Sequence, residues 1–267
     1  MNDNTKQLEP VRAVSRSIAI LQLINRSGSI SMSRIAQSVG LPYATAHRLV
    51  QTLLHEGLVE LEPDRKRYRP TELVETLSYG LKGPRHLIAA ARPHIVKITK
   101  ETSWPVSLVT RVGTWMMVRD STHALAPLTL NVYYPGYTLP ILGSASGLAY
   151  LAFADDDERE SILATTRALS DTAHQAHDFQ PLQQSLDECR ARHYATKERN
   201  PHTENPGLTS SIAVPIRRAE GGLHGTLTLI YLSSAMSVRT AVERYKAALL
   251  EAAIKVENAL PDDCQMR

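Results

Sequence analysis

Cysteine is scarce in this sequence, with only Cys189 and Cys264 among 267 residues. Two cysteines cannot build the disulfide framework on which small secreted domains depend. Apolar runs are short, and none approaches the roughly 18 residues that a membrane-spanning helix needs. The first residues, MNDNTKQLEPVR, lack the apolar segment of a signal peptide, so we expect a cytoplasmic protein with reduced thiols.

Catalytic and metal-binding motifs are missing as well. The sequence has no Rossmann fingerprint, P-loop or kinase motif set. The stretch GSASG at 143–147 approaches the hydrolase elbow G-x-S-x-G, but its central residue is alanine. His174 and His177 lack the cluster of a zinc site, and the acidic run 155–158 is explained by the start of a helix. We therefore expect no enzyme, no cofactor and no metal ion.

Charge is distributed unevenly along the chain. The formal net charge is only +3, but residues 10–70 hold nine arginines and lysines against four acids. A basic N-terminal module before a mildly acidic remainder is typical of nucleic-acid contact, although solvated surfaces can look similar.

The basic module 10–70 has the pattern of a winged helix-turn-helix. Apolar residues at helical spacing predict a first helix. Ser31 or Ser33 can cap a second helix that Gly40 stops, and Pro42 suits the first turn of a third. Two short strands joined by a Pro-Asp turn then form a hairpin, or wing.

In such a module the third helix enters the major groove with its N-terminal residues at the base edges. We expect the apolar stripe Leu49–Leu53 to face the core and the opposite side to contact DNA together with the wing. The predicted DNA-contacting residues are Arg12, Ser33, Pro42, Tyr43, Ala44, Thr45, His47, Arg48, Arg65, Lys66 and Arg67. The alternative is a structural or protein-binding module whose charged hairpin is merely solvated.

The remaining sequence predicts a second domain of α+β class. Two pairs of segments with period two, WPVSLVTR with TWMMVRDS and TSSIAVPIRR with LHGTLTLIYLSS, predict hairpins of a mainly antiparallel sheet. Helices are predicted over 86–102, 146–154, 156–167, 181–192 and 238–260, with an exposed connection over 168–180. The predicted division is a polar tail 1–9, the winged module 10–70, a linker helix 71–84, the second domain 85–260 and a tail 261–267.

Four separate stretches carry a family resemblance, in matching order and spacing. They are VRAVSRSIAILQLI, SRIAQSVGLPYATAHRLVQTLLHEGLVE, LPILGSASGLAYLAF, and SSIAVPIRR followed by GTLTLIYLSSAMS. The chain resembles the IclR family of bacterial transcriptional regulators along nearly its whole length. The resemblance implies a GAF-like α+β effector-binding domain, a linker helix, and dimers that often pair into tetramers on a palindromic operator. Within the family, WPVSLVTR, VRDSTH and YLSSAM resemble the activators of aromatic-acid catabolism of the hydroxyphenylpropionate type.

Matched position by position, the family's effector pocket falls on a short set of residues. These are Ala145, Ser146, Ser211, Thr228 and Ile230. The residues agree with that role, because a helix opening at Ser146 and Gly147 would offer free N–H groups to a carboxylate. Leu142, Trp104 and Ile230 can form an apolar wall, and Arg111 or Arg119 can pair with an acid.

Two departures from the family's pattern favour an aromatic effector over a small keto acid. Leu148-Ala149-Tyr150 replaces the usual small hydrophilic residues after the turn, and Ile230 stands where some relatives have serine. We therefore expect a transcriptional regulator that responds to an aromatic acid and controls a catabolic operon. A capped turn with surface arginines, a hydrolase-like enzyme using Ser146 and a non-regulatory binding module are the alternatives.

Overall fold

The computed structural model describes residues 10–78, 85–130, 133–170, 180–203 and 205–260, and the chain divides into two compact units between Gly83 and Pro84. The first unit contains α1 (Arg12–Ser27), β1 (Ile30–Ser31), α2 (Met32–Ser38), α3 (Tyr43–His55), β2 (Val59–Leu61), β3 (Arg67–Pro70) and a 3-10 helix (Glu72–Ser78). The second contains α4 (Arg85–Thr102), β4 (Val106–Val112), β5 (Trp115–Ser121), β6 (Thr138–Pro140), α5 (Ala145–Phe153), α6 (Asp156–Ser170), α7 (Gln180–Arg192), β7 (Ala195–Lys197), β8 (Thr209–Arg217), β9 (Leu223–Leu232) and α8 (Val238–Ala259), with 3-10 turns at His123–Leu125 and Ile141–Gly143. Within these ranges, no helix combines the length and apolar character needed to cross a bilayer.

The first unit is the predicted helix-turn-helix with a wing. Its three helices pack around Ile20, Ile24, Ile35 and Val50, which have no exposed surface. Ser31 caps α2, because its hydroxyl accepts a hydrogen bond from the backbone N–H of Arg34 at 3.4 Å. The wing strands lie in a three-stranded antiparallel sheet of order β1-β3-β2.

Several details of this unit differ from the sequence prediction. Leu49 and Leu53 both pack on the core, as predicted, but Leu49 is only partly buried, and the fully buried residues of α3 also include Ala46 and Val50. Pro42 occupies the position before α3 rather than its first turn. The described part of the predicted linker helix is a 3-10 helix, and residues 79–84, 1–9 and 261–267 lie outside the described residues.

The second unit is built on a six-stranded antiparallel sheet of order β6-β5-β4-β9-β8-β7. Helices α4 and α8 cover one face, and α5 packs on the other. Both predicted hairpins are confirmed as β4–β5 and β8–β9. The two edge strands, β6 and β7, were not predicted. Helix α6 continues to residue 170, and 171–179, most of the expected exposed connection, lie outside the described residues.

Strand alternation separates two core clusters. On β8, Ile212 and Val214 face α4 and α8, whereas Ala213 packs with the α5 cluster on the opposite side. On β9, Leu227 and Leu229 likewise face α4 and α8. The intervening residues of both strands therefore point toward α5, where the polar side chains of the sheet are concentrated.

Candidate functional site

The first candidate site is the outer side of α3. Tyr43, Ala44 and Arg48 are exposed, while Thr45 and His47 are partly buried at its margin. Pro42 provides no side-chain cap, so the first N–H groups of this 13-residue helix have no capping side chain. The side of α3 opposite Ala46 and Val50 therefore carries exposed side chains, and the start of the helix has no side-chain cap.

Three side chains of α3 form a ridge along its axis. The rings of Tyr43 and His47 are stacked, with centroids 6.1 Å apart and planes inclined by 13°. One turn further on, Gln51 Nε2 lies 3.4 Å from His47 Nε2. Gln51 is exposed and was not predicted, although its spacing of three from Arg48 and four from His47 marks the same side of the helix.

The basic residues of the wing have different surroundings. Arg65 and Lys66 are exposed in the turn between β2 and β3, and Lys66 has a φ of 48°. Arg67 donates a hydrogen bond to the backbone oxygen of Ser29 at 2.7 Å, which ties the wing to the loop after α1. Arg12 is exposed at the start of α1, and Ser33 is exposed in the first turn of α2.

The second candidate site is a cavity between the sheet and α5, with a volume of about 30 Å³. Its lining is uncharged and combines hydroxyl and amide groups with apolar side chains. The lining residues are Ser107, Val109, Val118, Tyr133, Leu139, Ser144, Ala145, Ser146, Asn200, Thr203, Thr209, Ser211, Thr228 and Ile230. All five positions carried over from the family, Ala145, Ser146, Ser211, Thr228 and Ile230, are among them.

The helix α5 begins one residue earlier than predicted. The helix begins at Ala145, and Ser144 is its cap, because the Ser144 hydroxyl accepts from the backbone N–H of Gly147 at 3.0 Å. Ser146 donates to Ser144 Oγ at 3.1 Å, so its proton is engaged inside the turn. The first intrahelical bond runs from the Leu148 N–H to the Ser144 oxygen at 3.0 Å. The amides of Ala145, Ser146 and Gly147 therefore all lie ahead of it, and the Ser144 hydroxyl caps that of Gly147.

Thr228 is a buried polar group of the cavity whose hydroxyl lacks a partner among the described residues. Its side chain is 6% exposed. A buried hydroxyl without a partner costs about 1–3 kcal/mol. A ligand that accepts a hydrogen bond from Thr228 would recover this cost.

The other predicted contacts lie away from the cavity lining. Trp104 belongs to the core cluster on the opposite face of the sheet, so the prediction that it forms the effector's wall was wrong. Leu142 is buried in the α5 cluster but is not among the lining residues. The guanidinium of Arg119 donates to Thr110 Oγ1 at 2.6 Å. Burial lowers the pKa of Arg119.

Arg111 forms an ion pair with Glu158, whose carboxylate it meets at 2.8 Å. Tyr150 also donates to this carboxylate, at 2.9 Å. Burial alone would lower the pKa of Arg111, but Tyr150 and Glu158 outweigh it and raise that pKa. The acidic run at 155–158 thus supplies a structural ion pair. Among the described residues no group of three potential ligands could hold a metal ion, and His174 and His177 lie outside them.

Comparison with known proteins agrees with this architecture. The family model of the IclR helix-turn-helix domain matches residues 13–63, and that of the bacterial transcriptional regulator IclR C-terminal domain matches residues 83–258. The chain is 24% identical over 207 residues to the probable transcriptional regulator SauR of Cupriavidus necator, covering 77% of this chain and 80% of that protein.

Solved structures show the same fold. The IclR protein of Thermotoga maritima has a TM-score of 0.66 at 23% identity, covering 92% of this chain and 97% of that one. An IclR homolog from Microbacterium hydrocarbonoxydans, complexed with 4-hydroxybenzoate, has a TM-score of 0.64 at 22% identity, covering 93% and 98%. The matched families and relatives are transcriptional regulators and not enzymes. Because its two domains match the two family models in order, the chain belongs to the IclR family of transcriptional regulators.

Proposed function

We propose that this regulator recognises operator DNA with the outer side of α3 and the tip of its wing. The exposed Arg48 and the uncapped start of α3 can bind phosphates, while Tyr43 and Ala44 can reach base edges. Arg65 and Lys66 would contact the neighbouring backbone. Arg67, which donates to Ser29, would hold the wing in place.

The cavity of the second unit is the proposed effector site, and the unpartnered hydroxyl of Thr228 is the observation that carries this assignment. A carboxylate could accept hydrogen bonds from Thr228 and from the first N–H groups of α5, where the helix dipole favours negative charge. Val109, Val118 and Ile230 would pack against an apolar ring. An aromatic acid fits this division into a polar end and an apolar wall.

The size of the cavity implies that the ligand changes the protein. A volume of about 30 Å³ suits roughly one water molecule, whereas a cavity that binds benzene measures about 150 Å³. An aromatic effector must therefore select a wider form of the domain. Its preference for that form is what could alter operator affinity, since a ligand shifts an equilibrium only by its differential affinity.

In the cell, we place this protein in the cytoplasm as a homodimer or homotetramer that controls a catabolic operon in response to an aromatic acid. The solved relative with bound 4-hydroxybenzoate supports the ligand class. A hydrolase using Ser146 is not favoured, because the Ser146 proton is donated to Ser144. A non-regulatory binding module is not favoured either, because the matched relatives are regulators.

A thermal-shift screen with benzoates, hydroxyphenyl acids and keto acids tests the effector site. A ligand at 100 times its Kd should raise Tm by about 5–10 °C in a domain of this size. In the variant Thr228→Val, which keeps the shape and removes the hydroxyl, the ligand should bind about 10- to 100-fold more weakly. Equal affinity for Thr228→Val and the parent protein would contradict the assignment.

A further inference from the structure

We propose that Gln51 reads an adenine in the operator and that His47, stacked on Tyr43, orients its side-chain amide for this task. The inference rests on the proposed DNA-binding role of α3. It concerns a residue outside the predicted recognition set, and it follows from the ridge that Tyr43, His47 and Gln51 form along the helix.

Gln51 lies on the side of α3 that faces away from the core. The buried residues of α3 are Ala46, Val50 and Leu53. At 100° per residue, Gln51 is displaced by about 140° from Ala46, close to the directions of Ala44 and Arg48. All three are exposed. A duplex that contacts Ala44 and Arg48 therefore also meets Gln51.

The contact with His47 selects one orientation of the Gln51 amide. When the imidazole carries its proton on Nδ1, its Nε2 can only accept, and it takes one hydrogen from Gln51 Nε2 across 3.4 Å. The second hydrogen of Nε2 and the oxygen Oε1 then remain available. This donor and acceptor pair matches N7 and N6–H of adenine, the bidentate partner of glutamine in the major groove.

Stacking holds the imidazole in the position that this contact needs. The ring of His47 lies nearly parallel to that of Tyr43, with an interplanar angle of 13°. The hydroxyl of Tyr43 plays no part in the stacking. The three side chains therefore have different roles. The Tyr43 ring supports the His47 ring, His47 Nε2 orients the Gln51 amide, and that amide contacts the adenine.

Selection from a randomised duplex pool with the full-length chain tests the proposal. The parent protein should enrich a motif containing an adenine that Gln51→Ala no longer prefers. On paired duplexes differing at that base pair, the discrimination should fall by about 5- to 150-fold. Thr52→Ala is the matched control on α3, because the Thr52 hydroxyl donates to the Arg48 backbone oxygen.

The positioning role has its own readout. His47→Phe keeps a ring beside Tyr43 and removes the acceptor, so it should relax the preference at the same base pair as Gln51→Ala. Combining the two should cause no further loss. His47→Gln, whose side-chain oxygen can accept from the same amide, should restore part of the preference that His47→Phe loses.

The possible failures are distinguishable. If the parent protein enriches no sequence, the operator-binding role of α3 is wrong and the assignment of Gln51 falls with it. If a motif is enriched but Gln51→Ala selects the same bases as the parent, DNA binding stands and the inference is wrong. A preference lost at a base other than adenine likewise overturns it.

Discussion

At Gly147, one added methyl group tests how α5 packs beside the proposed effector site. A Cβ at Gly147 would overlap the carbonyl oxygen of Ile141 and lie 2.5 Å from its carbonyl carbon. That backbone is buried, and the Ile141 N–H donates to the Thr114 oxygen at 3.1 Å. Alanine at 147 must therefore displace the start of α5, since the neighbouring chain is tied to the sheet.

The cost follows from the distance. An ordinary contact begins at 3.4 Å, and the Ile141 oxygen lies closer to the added Cβ than the carbonyl carbon does, so the two segments must separate by about 1.5 Å. Overpacking of this kind costs typically about 1–3 kcal/mol, and backbone opposite the clash favours the upper end. Alanine recovers about 1 kcal/mol of helix propensity. We expect Gly147→Ala to lower the free energy of unfolding by about 2 kcal/mol, or Tm by about 4–8 °C.

Tryptophan fluorescence during urea denaturation measures this change in the intact chain, because both tryptophans, Trp104 and Trp115, belong to the second unit. Gly143→Ala is the matched control. Its Cβ would meet the ring of His202 at 2.5 Å, and a side chain can move where backbone cannot. Gly143→Ala should therefore lower the free energy of unfolding by less than Gly147→Ala does. In a His202→Ala background, where the ring is gone, Gly143→Ala should cause no further loss of stability. A Gly147→Ala protein as stable as the parent would refute the described packing of α5.

Three further predictions address the proposed roles. Arg48→Ala should weaken operator binding and reduce the slope of log affinity against log salt by about 0.9 for one lost phosphate contact; an unchanged slope would exclude that contact. Ser146→Leu should fill the cavity of about 30 Å³ and abolish the effector-induced rise in Tm, with operator affinity in gel-shift titration preserved; a persisting rise would place the effector elsewhere. Burial raises the pKa of Cys189 to about 12, so in a Cys264→Ser background its thiol should resist a disulfide reagent at pH 8 until urea unfolds the protein; rapid reaction of the native protein would contradict this burial.

The parts of the fold that sequence reasoning predicted are those with local causes. Ser31 can cap α2 whatever surrounds it, and Gly40 adopts a φ of 63° that side chains disfavour. The two strands that the sequence did not predict have no local cause of this kind. Strands β6 and β7 contain three residues each, too few for a period to appear, and their structure comes from pairing with β5 and β8.

The same distinction applies to the cavity. Side chains alternate between the two faces of a strand, and Val106 and Leu108 belong to the core. Ser107 between them must face the cavity, so the sequence could have predicted it as a lining residue. The same alternation also places Trp104 on the core side with Val106 and Leu108, which the prediction overlooked. Asn200 and Thr203 had no comparable signal. They follow β7 in an irregular segment, and only the tertiary fold brings them to α5.

The two serines of the α5 turn connect ligand binding with the stability of that helix. Ser144 Oγ accepts from both the Gly147 N–H and the Ser146 hydroxyl, and it donates to the Pro140 oxygen. A hydroxyl can donate only one hydrogen bond. If Ser146 donates to a ligand carboxylate, it can therefore no longer donate to Ser144 Oγ. The proposed ligand would therefore alter the cap of α5 as well as fill the cavity. Binding of the proposed effector would in this way change the contacts that hold the start of α5 on the sheet.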